Sequence, residues 1–449
     1  MAFQLPQTHK AVRLHPADLT IHVEEIQAPE IEHPDDVVVK VKLAGLCGSD
    51  LHGYRGHEKI HEIIVTGHEF VGEVVALGSN FSPSATGRPL LYSTLKVGDF
   101  VVSPFSSSCG ECHFCRIGFT SRCVHQLLFG SEALPGGQAQ YVRVPRAGGV
   151  LFVIKSASPS PQHHNELLEN LSDPSLLLLA DILPTGVFTA LQTVQHPNIL
   201  PIIKGERFPL ASVEALSIPG LGETVNLKNR LLDPLWPNML EEDRILTIAV
   251  VGLGPVGICA IIALLDILSG LKVRVRLFAI DLVEARRNNV RVVYDALPPD
   301  ARGDCELVVC TLEEAEKFIM DASSGAGCNA VLEIVGNTAA LALAYSLIRP
   351  FGVIISAGVH QAPPLPFTGR QFYNKNVSLV FGRCPVRTVF PFAVDLLRKR
   401  QDVFGGGGED GKAKSIAGVE RVMSIQSAPE AYAKFARGEW GKVAFDPWV

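Results

Sequence analysis

Residues 246–257 read Leu-Thr-Ile-Ala-Val-Val-Gly-Leu-Gly-Pro-Val-Gly and lead into an apolar run that reaches Leu268. Taken from Ile245, the stretch is apolar enough to imitate a membrane span. Gly252, Gly254, Pro255 and Gly257 break it early, however, and Asp266 lies near its far end. A buried strand, a glycine turn and an apolar helix account for it better, so no membrane association is expected. Glycines at these positions allow a tight turn and bring the backbone close to a pyrophosphate at the helix N-terminus. Gly252, Gly254, Pro255, Val256 and Gly257 are therefore candidate dinucleotide contacts. The next strand-like run, VRVRLFAI, leads to Asp281, 281 − 257 = 24 residues after the last glycine. A carboxylate there accepts hydrogen bonds from both adenosine ribose hydroxyls and repels a 2′-phosphate, which favours NAD(H) over NADP(H). Arg286 and Arg287 follow it, and either meet a phosphate or form a solvated helix face.

From about residue 182 the same alternation recurs: AVLEIVG then AALALAYSLI, and later GVIISAGV. Strands alternating with apolar helices predict a parallel sheet covered on both faces. Residues 1–180 differ, with short Val-rich runs (DDVVVKVKLAG, EFVGEVVALG, VGDFVVSP, AQYVRVP) separated by Gly or Pro turns, so this part reads as β-rich. The final segment, from 383, mixes helical and strand pieces and ends in KVAFDPW. The expected fold class is α/β, a doubly wound parallel sheet plus a β-rich domain. Two segments interrupt the plan. Residues 79–96 read as a surface loop, and 192–243, punctuated by Pro197, Pro201, Pro209, Pro219, Pro234 and Pro237, as a longer insertion serving as lid, partner surface or neutral elaboration. Gly405–Gly408 is expected to be a flexible loop.

With 449 residues, 47% hydrophobic and 19% charged, the chain is too apolar for a disordered class and long enough for two or three domains. The charge balance 40 − 46 = −6 argues against nucleic-acid or anionic-membrane partners. The cysteines are unevenly spread, five of them between positions 47 and 123. Metal thiolates and free buried thiols both suit a reducing compartment. The N-terminus has no apolar run suited to a signal peptide and FDPWV is no targeting address, so a cytoplasmic location is expected.

Cys109-x2-Cys112-x2-Cys115-x7-Cys123 is the strongest chemical signal. Four thiolates satisfy tetrahedral zinc and leave no open position, so this zinc is expected to pin a loop rather than react. A second constellation runs from Gly45 to His52 and resumes at Gly67-His68-Glu69. Cys47 and His68 are suitable zinc ligands, and Asp50 and Glu69 are carboxylates able to orient them.

Together these features resemble the zinc-dependent medium-chain alcohol dehydrogenase family over nearly the whole chain. GHEFVGEVVALG is similar to its zinc signature, and the four-cysteine lobe and GLGPVG turn follow in the family's order. The resemblance implies a GroES-like catalytic domain at 1–184, a Rossmann NAD-binding domain at 185–382, and a C-terminal return to the first domain over 383–449. It implies two zinc ions per chain, one bound by Cys47, His68 and Asp181 of the Ala180-Asp181-Ile182-Leu183-Pro184-Thr185-Gly186 segment. Asp181 departs from the commoner Cys and resembles the glutathione-independent formaldehyde dehydrogenase branch. Glu69 remains a competing ligand. Ser49 and His52 match the family's proton relay. Gly336, Gly358 and Val359 fall at strand ends expected to meet the nicotinamide ribose, and Arg383 either contacts cofactor or sits in a surface ion pair. The implied function is NAD(H)-dependent interconversion of a small alcohol or polyol and its carbonyl, by a homodimer or homotetramer. The alternatives are a formaldehyde-type dehydrogenase or dismutase, and a non-catalytic zinc and dinucleotide binder.

Overall fold

The structure, a computed structural model, describes residues 4–157, 168, 170–208, 211–212, 239–361, 364–405 and 415–449. Most of the expected insertion (209–210 and 213–238) and residues 406–408 of the glycine run lie outside the described residues. The chain divides into two units: Met1–Thr185 with Arg383–Val449, and Gly186–Gly382.

In the first unit, β1 (Thr8–His15), β2 (Thr20–Gln27), β3 (Val37–Leu46), β4 (Ile64–Val65), β5 (Phe70–Leu77), β6 (Phe100–Ser103), β7 (Tyr141–Val144) and β8 (Phe152–Lys155) follow in order. β2-β1-β4 form one small sheet, and β3, β5, β6 and β8 are neighbours in a larger one, with β7 also paired to β3. Alternation along β3 sends Val37, Val39 and Val41 into a core shared with Phe70, Val74, Val101, Phe129 and Leu151. Residues 79–96 join β5 to β6 and are mostly exposed or half-buried, as expected of a surface loop, but one short helix interrupts them. Leu91–Thr94 is a short helix with Tyr92 buried, because that ring is sandwiched between Phe81 (5.0 Å between centroids) and the Arg88 guanidinium (3.7 Å).

The second unit contains β9 (Leu246–Val251), β10 (Val275–Ile280), β11 (Cys305–Cys310), β12 (Cys328–Glu333), β13 (Ile348–Ser356) and β14 (Ser378–Phe381). They are parallel and ordered β11-β10-β9-β12-β13-β14. This is the doubly wound order that reverses between its first and fourth strands, and it opens a crevice at their carboxyl ends. Every residue of β9 is buried, as a strand covered on both faces requires. The apolar run after it is the helix Pro255–Gly270, buried over most of its surface. Among the described residues no single helix is long and apolar enough to cross a membrane.

The last segment returns to the first unit. β15 (Arg421–Ser424) pairs with β16 (Val443–Asp446), and β16 runs antiparallel to β3, with Val443 opposite Leu46. Between them, Tyr432 and Phe435 of the helix Ala428–Ala436 pack with Leu14, Leu46 and Phe445.

Candidate functional site

The end of β3 organises the first cluster. Cys47 follows the strand directly, while Phe70 of β5 pairs with Ala44 and Val443 of β16 pairs with Leu46. That register brings His68 and Glu69, just before β5, and Lys442, just before β16, to the same strand end. Asp181 reaches it from the turn before the helix Ile182–Val194. Cys47, His68, Glu69 and Asp181 each offer one ligand atom, all within 4.8 Å of one another. Asp181 Oδ2 lies 3.5 Å from both Cys47 Sγ and His68 Nε2. These are the spacings that zinc bonds of about 2.0–2.3 Å would span.

The polar neighbours orient this set. Asp50 Oδ2 accepts the Cys47 N–H at 2.9 Å, and its Oδ1 pairs with His68 Nδ1 at 3.0 Å. With Nδ1 donating to a carboxylate, Nε2 is left to face Cys47 and Asp181, which is the arrangement a metal-binding imidazole uses. Thr185 Oγ1 donates to Asp181 Oδ1 at 3.0 Å. Burial opposes protonation of His68, but the summed pull of Asp50, Asp181 and Cys47 outweighs it and lifts the imidazole well above its ordinary range. The site thus favours positive charge at its centre, and a divalent cation draws on the same field. Glu69 is completely buried, receives the Lys442 ammonium on Oε2, and has no partner for Oε1 among the described residues. An orphaned carboxylate oxygen beside three donor atoms fits a cation. Gly45 is required here because a Cβ would lie 2.0 Å from Glu69 Oε2.

Ser49 Oγ lies 3.3 Å from His68 Nε2. His52 is half-buried on the short helix Asp50–Tyr54, and burial keeps it below the ordinary imidazole range.

The second cluster is the four-cysteine lobe. Cys109, Cys112, Cys115 and Cys123 converge as free thiols, with Sγ–Sγ distances of 3.6 Å (Cys109–Cys123) and 3.9 Å (Cys112–Cys123). A tetrahedron of 2.3 Å zinc–sulfur bonds has an edge of about 3.8 Å. Gly110, at φ +75°, turns the chain so that the Glu111 and Cys112 N–H groups donate back to Cys109 Sγ at 3.3 and 3.2 Å. Cys109 and His125 N–H donate to Cys123 Sγ at 3.2 and 3.3 Å. Such donors favour thiolates.

In the second unit the glycine turn divides its labour. Gly252 has φ +98°, while a Cβ on Gly257 would lie 2.0 Å from Gly252 O, so helix and turn pack in contact. Gly254, where a Cβ would meet nothing within 4 Å, leaves its side of the backbone open to a ligand. Pro255 and Val256 begin the helix and are half-buried. Asp281 caps β10, accepting the Leu253 N–H at 2.7 Å and the Val283 N–H at 2.8 Å. Arg286 Nη1 stands 3.6 Å from the same carboxylate, while Arg287 donates to the Asp281 and Leu282 carbonyls. Gly336 (φ +79°) and Gly358 touch across the ends of β12 and β13, where a Cβ on Gly358 would lie 2.1 Å from Gly336 N. Val359 beside them is exposed, and Arg383 opens the return segment of the first unit.

Residues 33–155 match the family model described as alcohol dehydrogenase GroES-like domain. The zinc-type alcohol dehydrogenase B of Aspergillus flavus is 33% identical over 97% of this chain and 81% of its own length. This chain belongs to the zinc-type medium-chain alcohol dehydrogenase family. The medium chain reductase/dehydrogenase ucsI of an Acremonium species is 36% identical, over 79% of this chain and 95% of its own. Among solved structures, the Thermus sp. ATN1 alcohol dehydrogenase TADH superposes with a TM-score of 0.67 at 25% identity, covering 97% of this chain and 99% of its own. Lys442, which pairs with Glu69 of this donor cluster, is a residue that reading the sequence misses. It lies 373 residues from Glu69, and no spacing rule reaches that far.

Proposed function

We propose that the chain oxidises a small alcohol or polyol to its aldehyde or ketone, reversibly, using zinc and NAD(H). The observation that carries this reading is the mixed donor set Cys47, His68 and Asp181, buried beside an orphaned Glu69 oxygen. One thiolate, one imidazole and one carboxylate give three ligands and leave a position for substrate, unlike the closed set at Cys109, Cys112, Cys115 and Cys123. When bound, zinc supplies Lewis acidity toward a substrate oxygen and the nicotinamide supplies the hydride acceptor. The protein's part is positioning and proton handling. Asp50 holds the His68 tautomer, and Lys442 holds Glu69. In this reading Ser49 Oγ, beside His68, accepts the hydroxyl proton of an alcohol while passing its own on, and His52, which burial keeps below the ordinary imidazole range, is the base that receives it. Asp281, with lone pairs beyond those its two backbone partners occupy, holds the adenosine ribose in this reading and disfavours a 2′-phosphate.

The test is nicotinamide absorbance in zinc-replete protein offered primary and secondary alcohols, polyols, aldehydes and formaldehyde, each with NAD and NADP. Turnover with alcohols and NAD supports the proposal. Turnover with formaldehyde alone moves the function to the aldehyde branch. No turnover with any member of the panel defeats both.

A further inference from the structure

Three polar side chains in the second unit have no part in the account above. Glu333 is the last residue of β12, Ser356 the last of β13, and His360 lies four residues further on. Glu333 is fully buried. Its Oε1 accepts the Gly336 N–H at 2.7 Å; its Oε2 accepts the Ser356 hydroxyl at 2.6 Å and faces His360 Nε2 at 2.9 Å. Ser356 Oγ also lies 2.9 Å from that nitrogen. Phe381 meets the imidazole edge-on, with 5.0 Å between ring centroids. The imidazole is thus fixed in plane and in tautomer: Nε2 beside a carboxylate carries the hydrogen, and in the neutral ring Nδ1 is an acceptor. Nδ1 has no partner among the described residues, and the side chain keeps 13% of its surface exposed.

The sheet order says which half of a dinucleotide would lie over this cluster. The glycine turn follows β9, and Asp281 follows β10 on one side of it. β12 and β13 lie on the other side of β9, across the reversal of strand order. A dinucleotide with its pyrophosphate at the turn and its adenosine ribose at Asp281 therefore extends its other half over the ends of β12 and β13. We propose that His360 contacts the nicotinamide half of the bound dinucleotide through Nδ1, with Glu333 and Ser356 as positioning residues that hold the ring. The acceptor suits either a ribose hydroxyl or the carboxamide N–H. This inference rests on the dinucleotide reading given above.

Equilibrium titration of the zinc-loaded protein with NADH, ADP-ribose and AMP, followed by fluorescence and calorimetry, tests it without turnover. His360→Ala should weaken NADH about fivefold to tenfold, the loss of one hydrogen bond, and leave AMP unchanged. An equal loss for ADP-ribose assigns the contact to the ribose, and unchanged ADP-ribose assigns it to the carboxamide. Glu333→Gln and Ser356→Ala should weaken NADH in the same direction, and His360→Gln, which keeps an acceptor, should recover part of the loss. These three carry the comparison if the alanine variant fails to fold. Unchanged NADH affinity in the His360 variants, or a loss shared equally by AMP, overturns the inference while leaving the dinucleotide reading intact. A wild-type protein that binds no NADH removes that reading, and this inference with it.

Discussion

Lys442 and Glu69, 373 residues apart in sequence, form an ion pair with no more than 2% of either residue exposed. Burying two charges costs several kcal/mol per ion unless each satisfies the other, so removing one partner is far worse than removing both. Lys442→Met should destabilise the protein by about 3–5 kcal/mol, and adding Glu69→Gln should recover a large part of that. Urea denaturation of the single and double variants measures both. A double variant no more stable than the single one would show that the pair contributes through something other than charge compensation.

Metal content separates the two donor sets. Cys47→Ala removes a thiolate from a set of different ligand types, and Cys112→Ser one from the four-cysteine lobe. Each should lower bound zinc by one ion per chain, read by atomic emission after dialysis. Only the first should abolish turnover while leaving the melting temperature nearly unchanged. Cys112→Ser should lower that temperature, because a zinc held by the four cysteines would cross-link a loop. Wild-type protein with a single zinc would contradict the assignment of two sites.

The proposed preference for NAD(H) rests on Asp281. Its carboxylate is anchored by Leu253 and Val283 N–H groups, so it cannot swing away from a phosphate. Asp281→Ala should weaken NADH about tenfold or more, the worth of a hydrogen bond to a charged group, and weaken NADPH much less. Arg286, 3.6 Å from Asp281, would then be released toward a 2′-phosphate. A wild-type preference for NADPH would reverse this account.

What the sequence discloses and what it hides follow from one distinction. The glycine turn, the four-cysteine lobe and the strand–helix alternation after 182 are legible because each is confined to a short contiguous stretch, where spacing dictates geometry. Asp281 is legible as the acid proposed to hold the ribose because one helix and one strand separate it from the turn. Lys442, and the Glu333–Ser356–His360 cluster, are different. They meet through pairing of β16 with β3 and of β12 with β13, and registers of that kind are set by tertiary packing. Asp181 stands between these cases. Only the family resemblance picks it out, because its partners Cys47 and His68 are over a hundred residues away. Tyr92 shows the opposite failure, a polar and Pro-rich stretch hiding one aromatic ring that the core captures.

The protein's response to acid should carry the mark of His9. It lies on β1 with 4% of its surface exposed, and its Nδ1 accepts the Tyr141 N–H at 3.2 Å, which requires an unprotonated nitrogen. Burial lowers its pKa from 6.5 to about 4. The unfolded chain therefore takes up a proton below about pH 6.5 that the folded protein refuses until about pH 4. Unfolding is favoured by acid between those limits, by about 1.4 kcal/mol per pH unit and at most about 3.5 kcal/mol in all; the stabilising contribution is complete above pH 6.5. Replacing His9 with Gln, which keeps an acceptor for Tyr141, should flatten the dependence of unfolding free energy on pH between 6.5 and 4 relative to wild type. Carboxylates titrate identically in the two proteins, so the difference isolates the imidazole. Parallel pH profiles for wild type and His9→Gln would mean that His9 becomes protonated in the folded protein, and that the Tyr141 hydrogen bond is given up without measurable cost.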